Sequence, residues 1–136
     1  MQCHERKPSF HTESTGNLAP KKRIQRNQVS LLHPPSGEVI NTRPLSRIGA
    51  HAKGYNRNSI GICYEGGLDK DGKPKDTRTP EQRAALRRLV NELMLRFPGC
   101  KVCGHRDCSP DLNRNGKIEP HEWTKQCPCF DVASNL

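Results

Sequence analysis

Residues 79–99 (TPEQRAALRRLVNELMLRFPG) carry a strong helix pattern. Thr79 offers an N-cap hydroxyl, Pro80 suits the first helical turn, and Gln82 completes a capping box with Thr79. The apolar residues then recur at the i, i+3, i+4 spacing of one helix face, at Leu86, Leu89, Val90, Leu93, Met94 and Phe97. The Pro-Gly pair that follows ends the pattern. The spacing therefore predicts an amphipathic helix over residues 80–97 whose apolar stripe belongs to the core.

Strand patterns lie on both sides of this helix. Before it, residues 59–64 (SIGICY) form an apolar run of strand length, and residues 38–41 show a shorter alternation. Between these two runs, residues 48–56 read as a glycine-punctuated loop. After the helix, residues 101–103 form a short strand. Strand, helix and strand in this order predict an α/β fold, in which the helix packs on a small mixed β-sheet.

Composition and periodicity divide the chain into two parts. Its 136 residues suit one domain, and a hydrophobic content of only 32% predicts a small core. Residues 1–35 show no sustained periodicity and hold six Lys or Arg against two Glu. We expect this segment to be irregular and mostly disordered. The folded domain is expected to span residues 36–136.

The net charge of +9 favours an anionic partner, such as a nucleic acid or an anionic cell-wall polymer. No apolar run follows the first charged residues, so we expect no signal peptide and synthesis in the cytoplasm. No stretch is long and apolar enough for a membrane span, so we expect no membrane insertion. We also expect a monomer.

The side chains with metal chemistry are concentrated near the end of the chain. His105 follows the predicted strand at 101–103, and two thiols, Cys127 and Cys129, lie further on, with Lys125 just before them. Imidazole nitrogen and thiolate sulfur both bind Zn²⁺, but a catalytic zinc usually has three protein ligands and a water. The sequence thus offers His105 and one of these two thiols as ligands of a zinc site that still needs a third ligand.

The cysteines also allow a different arrangement. The chain has seven cysteines, and this odd count with close pairs argues against a simple disulfide framework. Four of them offer a zinc ribbon, which with the basic charge would bind nucleic acid: Cys100, Cys103, Cys127 and Cys129. However, the C-x-C spacing is unusual for a ribbon, and no aromatic residues or basic run surround it. A nucleic acid is therefore the less favoured partner.

Residues 111–122 (DLNRNGKIEPHE) match the calcium-loop template D-x-[DN]-x-[DN]-G-x5-E at every specified position. Asp111, Asn113 and Asn115 offer side-chain oxygens, and Glu122 offers a carboxylate that can bind Ca²⁺ through both oxygens. A tight Asn-Gly turn without metal explains the same residues, and no helix is predicted to run into Asp111. Both interpretations stay open, and calcium is expected to have a structural role at most.

Three separated motifs resemble one enzyme family. Residues 104–110 (GHRDCSP), 125–131 (KQCPCFD) and 49–62 (GAHAKGYNRNSIGI) resemble the zinc-dependent N-acetylmuramoyl-L-alanine amidases, which include phage lysozyme-type amidases and peptidoglycan-recognition proteins. The resemblance implies hydrolysis of the amide between the muramic acid lactyl group and L-alanine in peptidoglycan. It implies that His105 and Cys127 bind zinc and that Lys125 steadies the tetrahedral intermediate.

The same resemblance places His51, Tyr55 and Asn56 in a loop on the substrate side. For His51 alone, anchoring the loop is as good an interpretation as contacting the substrate.

Two N-terminal motifs of that family are missing. One is a central strand ending in His-Cys/Ser/Asn-x-Thr, whose His is the third zinc ligand; the other is a strand similar to Tyr-His-Phe-Tyr-Ile. Residues 29–34 can be encoded by codons that spell Tyr-His-Phe-Tyr-Ile when the reading frame is shifted by one base. Residues 1–5 similarly yield Cys-Asn-Ala-Thr in the same shifted frame. We therefore hypothesise that residues 1 to about 35 are translated out of frame, that the third ligand lies upstream, and that activity is impaired.

Overall fold

The computed structural model describes the backbone of residues 9–15 and 31–136 and the side chains of residues 34–136. A five-stranded sheet is formed by β1 (Ser9–Thr15), β2 (Leu31–His33), β3 (Ile40–Asn41), β4 (Ser59–Glu65) and β5 (Val102–Gly104). The helices are α1 (Pro80–Arg96) and α2 (Val132–Asn135), and short 3-10 turns cover Asn56–Asn58, His105–Cys108 and Pro120–Glu122. None of the described helices has the length and hydropathy needed to cross a bilayer.

The sheet is mixed, which confirms the predicted fold class. Its strand order is β3-β2-β4-β1-β5. The β1 strand runs parallel to both β4 and β5, β2 runs parallel to β4, and β3 is antiparallel to β2. Because β1, β4 and β5 are parallel, their carboxyl ends meet at one edge of the sheet, which is where His105 follows β5.

The α1 helix begins where the capping signal predicts. The Thr79 hydroxyl accepts a hydrogen bond from the Gln82 backbone N–H (3.1 Å), and Oε1 of Gln82 accepts one from the Thr79 N–H (3.0 Å). The Gln82 amide also donates to the Glu65 carbonyl at 3.0 Å, which ties the helix start to the end of β4. The helix ends at Arg96, one residue before the predicted end.

The core lies between α1 and one face of the sheet. On β4, Ile60, Ile62 and Tyr64 are buried, whereas the helix contributes Leu86, Val90 and Leu93. Phe130 and Val132, near the end of the chain, complete this cluster. The predicted helix stripe is correct except at Met94, which is 43% exposed because the core contact along the last helical turn is made by Leu93 and Phe97.

Two strands lie within residues 1–35, which the sequence predicts as irregular. The β1 strand pairs with β4 from Ser9↔Ser59 to Thr15↔Glu65, and with β5 from Phe10↔Val102 to Thr12↔Gly104. Strand pairing is made by backbone N–H and C=O groups, so neighbouring strands can order a segment that lacks a strand pattern of its own. The prediction for residues 1–8 and 16–30 lies outside the described residues.

Candidate active site

The two predicted zinc ligands lie together beside the end of β5. His105 opens the 3-10 turn that follows Gly104, and its Nδ1 lies 3.1 Å from Sγ of Cys127. The turn is capped because the Gly104 N–H donates to the Asp107 carboxylate at 2.7 Å. The Arg106 N–H donates to the Cys127 carbonyl at 2.9 Å, which joins the two segments directly. Residues 22 positions apart are thus brought to one point.

The close approach of the Cys127 segment depends on Gly104. A Cβ atom added at Gly104 would lie 2.7 Å from Cδ of Pro128, whose side chain is fully buried. The Pro128 carbonyl accepts a hydrogen bond from the Tyr64 hydroxyl at 2.7 Å, so this segment is also fastened to β4. A residue larger than glycine would therefore push Cys127 away from the strand end.

We expect Gly104→Ala to lower the free energy of unfolding by about 1–3 kcal/mol, the usual cost of overpacking a filled site. It should also weaken zinc binding, since Pro128 adjoins Cys127. Urea denaturation and a zinc competition titration measure the two effects. Unchanged stability and unchanged zinc affinity would show that Pro128 has room to move.

The donor atoms of His105 and Cys127 fit zinc, which prefers imidazole nitrogen and thiolate sulfur. Their separation of 3.1 Å allows both to face one ion. Among residues 34–136, His, Cys, Asp and Glu side chains converge in a group of three only at Glu119, His121 and Glu122. The described side chains therefore provide two of the three protein ligands expected at a catalytic zinc.

Lys125 is exposed and lies on the same segment as Cys127, two residues before it. The side chain is thus on the part of the chain that reaches the half-site and is open to a ligand.

The predicted substrate-side loop is held by Asn56. The Oδ1 atom of Asn56 accepts hydrogen bonds from the backbone N–H groups of His51 and Ala52, both at 2.8 Å. His51 is 8% exposed and lies over Gly61 of β4, where an added Cβ would come within 2.6 Å of the imidazole Cδ2. Tyr55, by contrast, is 43% exposed. Two of the three predicted residues therefore shape the loop, and Tyr55 is the one presented to solvent.

The four cysteines of the zinc-ribbon alternative are not gathered in the described part of the chain. Cys100 is buried in the apolar core, and Cys103 lies on β5. Cys127 contacts His105, and the Cys129 thiol donates to the Gly67 carbonyl at 3.3 Å. A ribbon would need all four sulfurs at one point, so this arrangement does not support it.

The loop 111–122 is closed by its own hydrogen bonds. The buried Glu122 carboxylate accepts backbone N–H groups of Leu112 (2.8 Å), Asn113 (3.2 Å) and Glu119 (2.9 Å). The Asp111 carboxylate accepts the N–H groups of Asn115 and Gly116. This loop lies between His105 and Cys127 in the chain, and bonds between Ser109 and Thr124 close its base.

The sequence interpretation missed Glu119. Its Oε2 accepts hydrogen bonds from the side-chain amides of Asn113 (2.9 Å) and Asn115 (3.3 Å), so it joins the predicted oxygen ligands as a third carboxylate. The signal that could have identified it is its place at the ninth position of the loop, which often contributes to a calcium site.

The hydrogen bonds to Glu122 predict a pH dependence of stability. They hold the pKa of Glu122 below its ordinary value of 4.5, chiefly through the Glu119 N–H, while burial opposes the shift. A lowered pKa in the folded state stabilises the protein above pH 4.5. That contribution is lost as the pH falls through the folded pKa.

We therefore expect Glu122→Gln to be most destabilising at neutral pH. The difference in unfolding free energy from the unmodified protein should shrink as the pH falls below 4.5. Denaturant titrations at a series of pH values measure it. A difference that stays constant across the series would mean that the ionised carboxylate contributes nothing.

Comparison with known proteins agrees with the motifs. Residues 3–129 match the family described as N-acetylmuramoyl-L-alanine amidase. An uncharacterized protein of Haemophilus influenzae is 50% identical over 100 residues, covering 74% of this chain and 86% of that protein. The endolysin of Klebsiella phage KP32 is 36% identical over 96 residues, covering 71% of this chain and 54% of the endolysin. The chain thus spans about half the length of that phage enzyme.

Solved structures show the same fold. The amidase LysC from Clostridium intestinale superposes with a TM-score of 0.62 at 24% identity, covering 86% of this chain and 81% of that one. The Drosophila peptidoglycan recognition protein SD superposes with a TM-score of 0.57 at 21% identity, covering 75% and 70%. The family resemblance read from the motifs is confirmed. The family match spans well over half of the residues of this chain, and the chain therefore belongs to the N-acetylmuramoyl-L-alanine amidase family.

Proposed function

We propose that this chain is a peptidoglycan hydrolase that cleaves the amide between the muramic acid lactyl group and the first L-alanine of the stem peptide. The observation that carries the proposal is the 3.1 Å approach of His105 Nδ1 to Cys127 Sγ, in a member of this family. A nitrogen and a sulfur donor at the edge where three parallel strands end form a zinc half-site. The basic charge of the chain suits an anionic cell wall.

His105 and Cys127 would hold the zinc ion. Zinc held there would supply Lewis acidity that polarises the amide carbonyl and activates water. Lys125 is exposed and lies on the Cys127 segment. Its ammonium group is the donor that we assign to the amide carbonyl oxygen, on which negative charge develops during cleavage. The phenol ring of Tyr55 contacts the substrate, and Asn56 and His51 keep the loop that carries it in place.

We expect weak cleavage if residues 1 to about 35 are translated out of frame. Two protein ligands bind zinc more weakly than three, and the described side chains include no third one at His105 and Cys127.

Product analysis tests the proposal. Purified peptidoglycan is incubated with a high concentration of the protein and zinc, and the soluble fragments are identified by mass spectrometry. We expect stem peptides with a free N-terminal L-alanine and glycans with intact lactyl groups. New reducing sugar ends, or peptides that start at another residue, would overturn the assignment of the bond.

We further propose that loop 111–122 binds Ca²⁺ as a structural ion. The sequence matches the calcium-loop template throughout, and Glu119 adds a carboxylate to those of Asp111 and Glu122. Millimolar affinity is expected, as in extracellular calcium modules.

Calcium at about tenfold over its Kd should raise the melting temperature by roughly 5 °C. Glu119→Gln should remove most of this shift, whereas Glu81→Gln, on the exposed first turn of α1, should leave it intact. Thermal unfolding with Ca²⁺, Mg²⁺ or chelator measures the shift. Equal melting temperatures in calcium and chelator would support the metal-free Asn-Gly turn.

A further inference from the structure

The Arg106 side chain connects the two segments that carry the half-site. Its guanidinium carbon lies 4.2 Å from the centroid of the Trp123 ring, and its Nη2 lies 3.5 Å from an oxygen of Asp131. The Arg106 side chain is only 14% exposed, although Asp131 is largely open to solvent. Arginine suits this position because its planar group can stack on an aromatic ring while its edge faces a carboxylate.

These contacts are arranged symmetrically around Cys127. Trp123 lies four residues before Cys127, and Asp131 lies four residues after it. Between them, the backbone N–H of Arg106 donates to the carbonyl of Cys127 itself at 2.9 Å. One residue thus holds the segment 123–131 at three points, and that residue is the immediate neighbour of His105.

Of the two side-chain contacts of Arg106, the stacking on the Trp123 ring should contribute more free energy than the ion pair with Asp131. Ion pairs with exposed carboxylates such as Asp131 contribute little, because water screens them. A cation over a Trp face is worth more when it is shielded from water, as the low exposure of Arg106 indicates. Losing the stack should therefore loosen the 123–131 segment relative to the 105–108 turn.

We propose that Arg106 is a positioning residue that holds Cys127 beside His105. It acts through Trp123 and Asp131 and does not itself contact the metal or the substrate. The inference rests on the proposed function in one respect, namely that the paired His105 and Cys127 form a zinc half-site. The positioning itself does not require metal or catalysis, so it can be measured without either.

The test uses a disulfide as a proximity probe. In a His105→Cys background, the disulfide between positions 105 and 127 is equilibrated in glutathione buffers and quantified by peptide mapping. Adding Arg106→Ala should lower the effective concentration of the two thiols at each other about tenfold. This factor corresponds to the loss of a shielded cation–π contact together with its ion pair. Arg106→Lys should recover part of the loss, because it keeps the charge without the planar stack.

Gln82→Ala is the control for a general loss of stability. It removes the buried capping box of α1, far along the chain from the half-site, and should leave the 105–127 disulfide unchanged. An unchanged disulfide in Arg106→Ala, an equal fall in Gln82→Ala, or no 105–127 disulfide in the His105→Cys background would each overturn the inference.

Cobalt binding separates this inference from the proposed function. With His105 intact, Co²⁺ bound to Cys127 gives a thiolate-to-metal charge-transfer band, and Arg106→Ala should weaken Co²⁺ binding about tenfold. If the unmodified protein binds no Co²⁺ but Arg106→Ala lowers the disulfide, the zinc half-site fails while the positioning role stands.

Discussion

Replacing His105 by Asn, or Cys127 by Ser, is expected to lower zinc affinity by about 100-fold or more. Outer partners of zinc ligands alone are worth roughly 10–100-fold, so a direct ligand should be worth at least the upper value. Competition with a chromophoric chelator at constant pH measures the affinity. The two substitutions should each leave most of the folded structure intact, since neither side chain belongs to the apolar core.

The double substitution Cys100→Ser with Cys103→Ser is the matched control. Cys100 is in the core and Cys103 is on β5, so removing both should affect stability and leave zinc affinity nearly unchanged. A zinc ribbon gives the opposite pattern, with a large loss for Cys100 and Cys103 and little effect at His105. That pattern, with salt-sensitive binding to DNA or RNA, would favour a nucleic-acid-binding module.

If residues 1 to about 35 are translated out of frame, a restored protein in which the shifted frame is joined to residue 36 should carry, in place of β1, a strand that ends in the third zinc-binding histidine. We expect the amidase rate of this restored protein to exceed that of the present chain by on the order of 10³-fold, since a fully held zinc contributes several kcal/mol to the transition state. The release of peptides with N-terminal L-alanine from purified peptidoglycan measures both rates.

His105→Asn in the restored protein should return the rate to that of the present chain. Equal and robust activity in the present and restored proteins would contradict the frame hypothesis. The coding DNA gives an independent check, because its codons for residues 1–5 and 29–34 must spell Cys-Asn-Ala-Thr and Tyr-His-Phe-Tyr-Ile one base out of frame.

Much of the fold follows from local signals. The start of α1 depends on the reciprocal bonds of Thr79 and Gln82, which neighbours in sequence make by themselves. The β4 strand has a continuous apolar run because both of its faces are covered: Ile62 faces α1, and Gly61 lies under His51. These elements could be predicted because their physical causes lie within a few residues.

Other features depend on partners that are distant in sequence. The pairing of β1 with β4 and β5 is invisible in the composition of residues 9–15, because the neighbouring strands supply the order. The three contacts of Arg106 join residues 106, 123, 127 and 131, and no periodicity marks them. The site could be predicted only through family motifs, since two ligands 22 residues apart have no local signature.

X-ray absorption at the zinc edge of the metal-loaded protein identifies and counts the atoms that bind the ion. We expect one sulfur at about 2.3 Å and imidazole nitrogen at about 2.0–2.1 Å, with the sulfur lost in Cys127→Ser. Four sulfurs would indicate the zinc ribbon, and a shell without sulfur would place the ion at the Glu119, His121 and Glu122 group. Either of those two results would contradict a zinc half-site formed by His105 and Cys127.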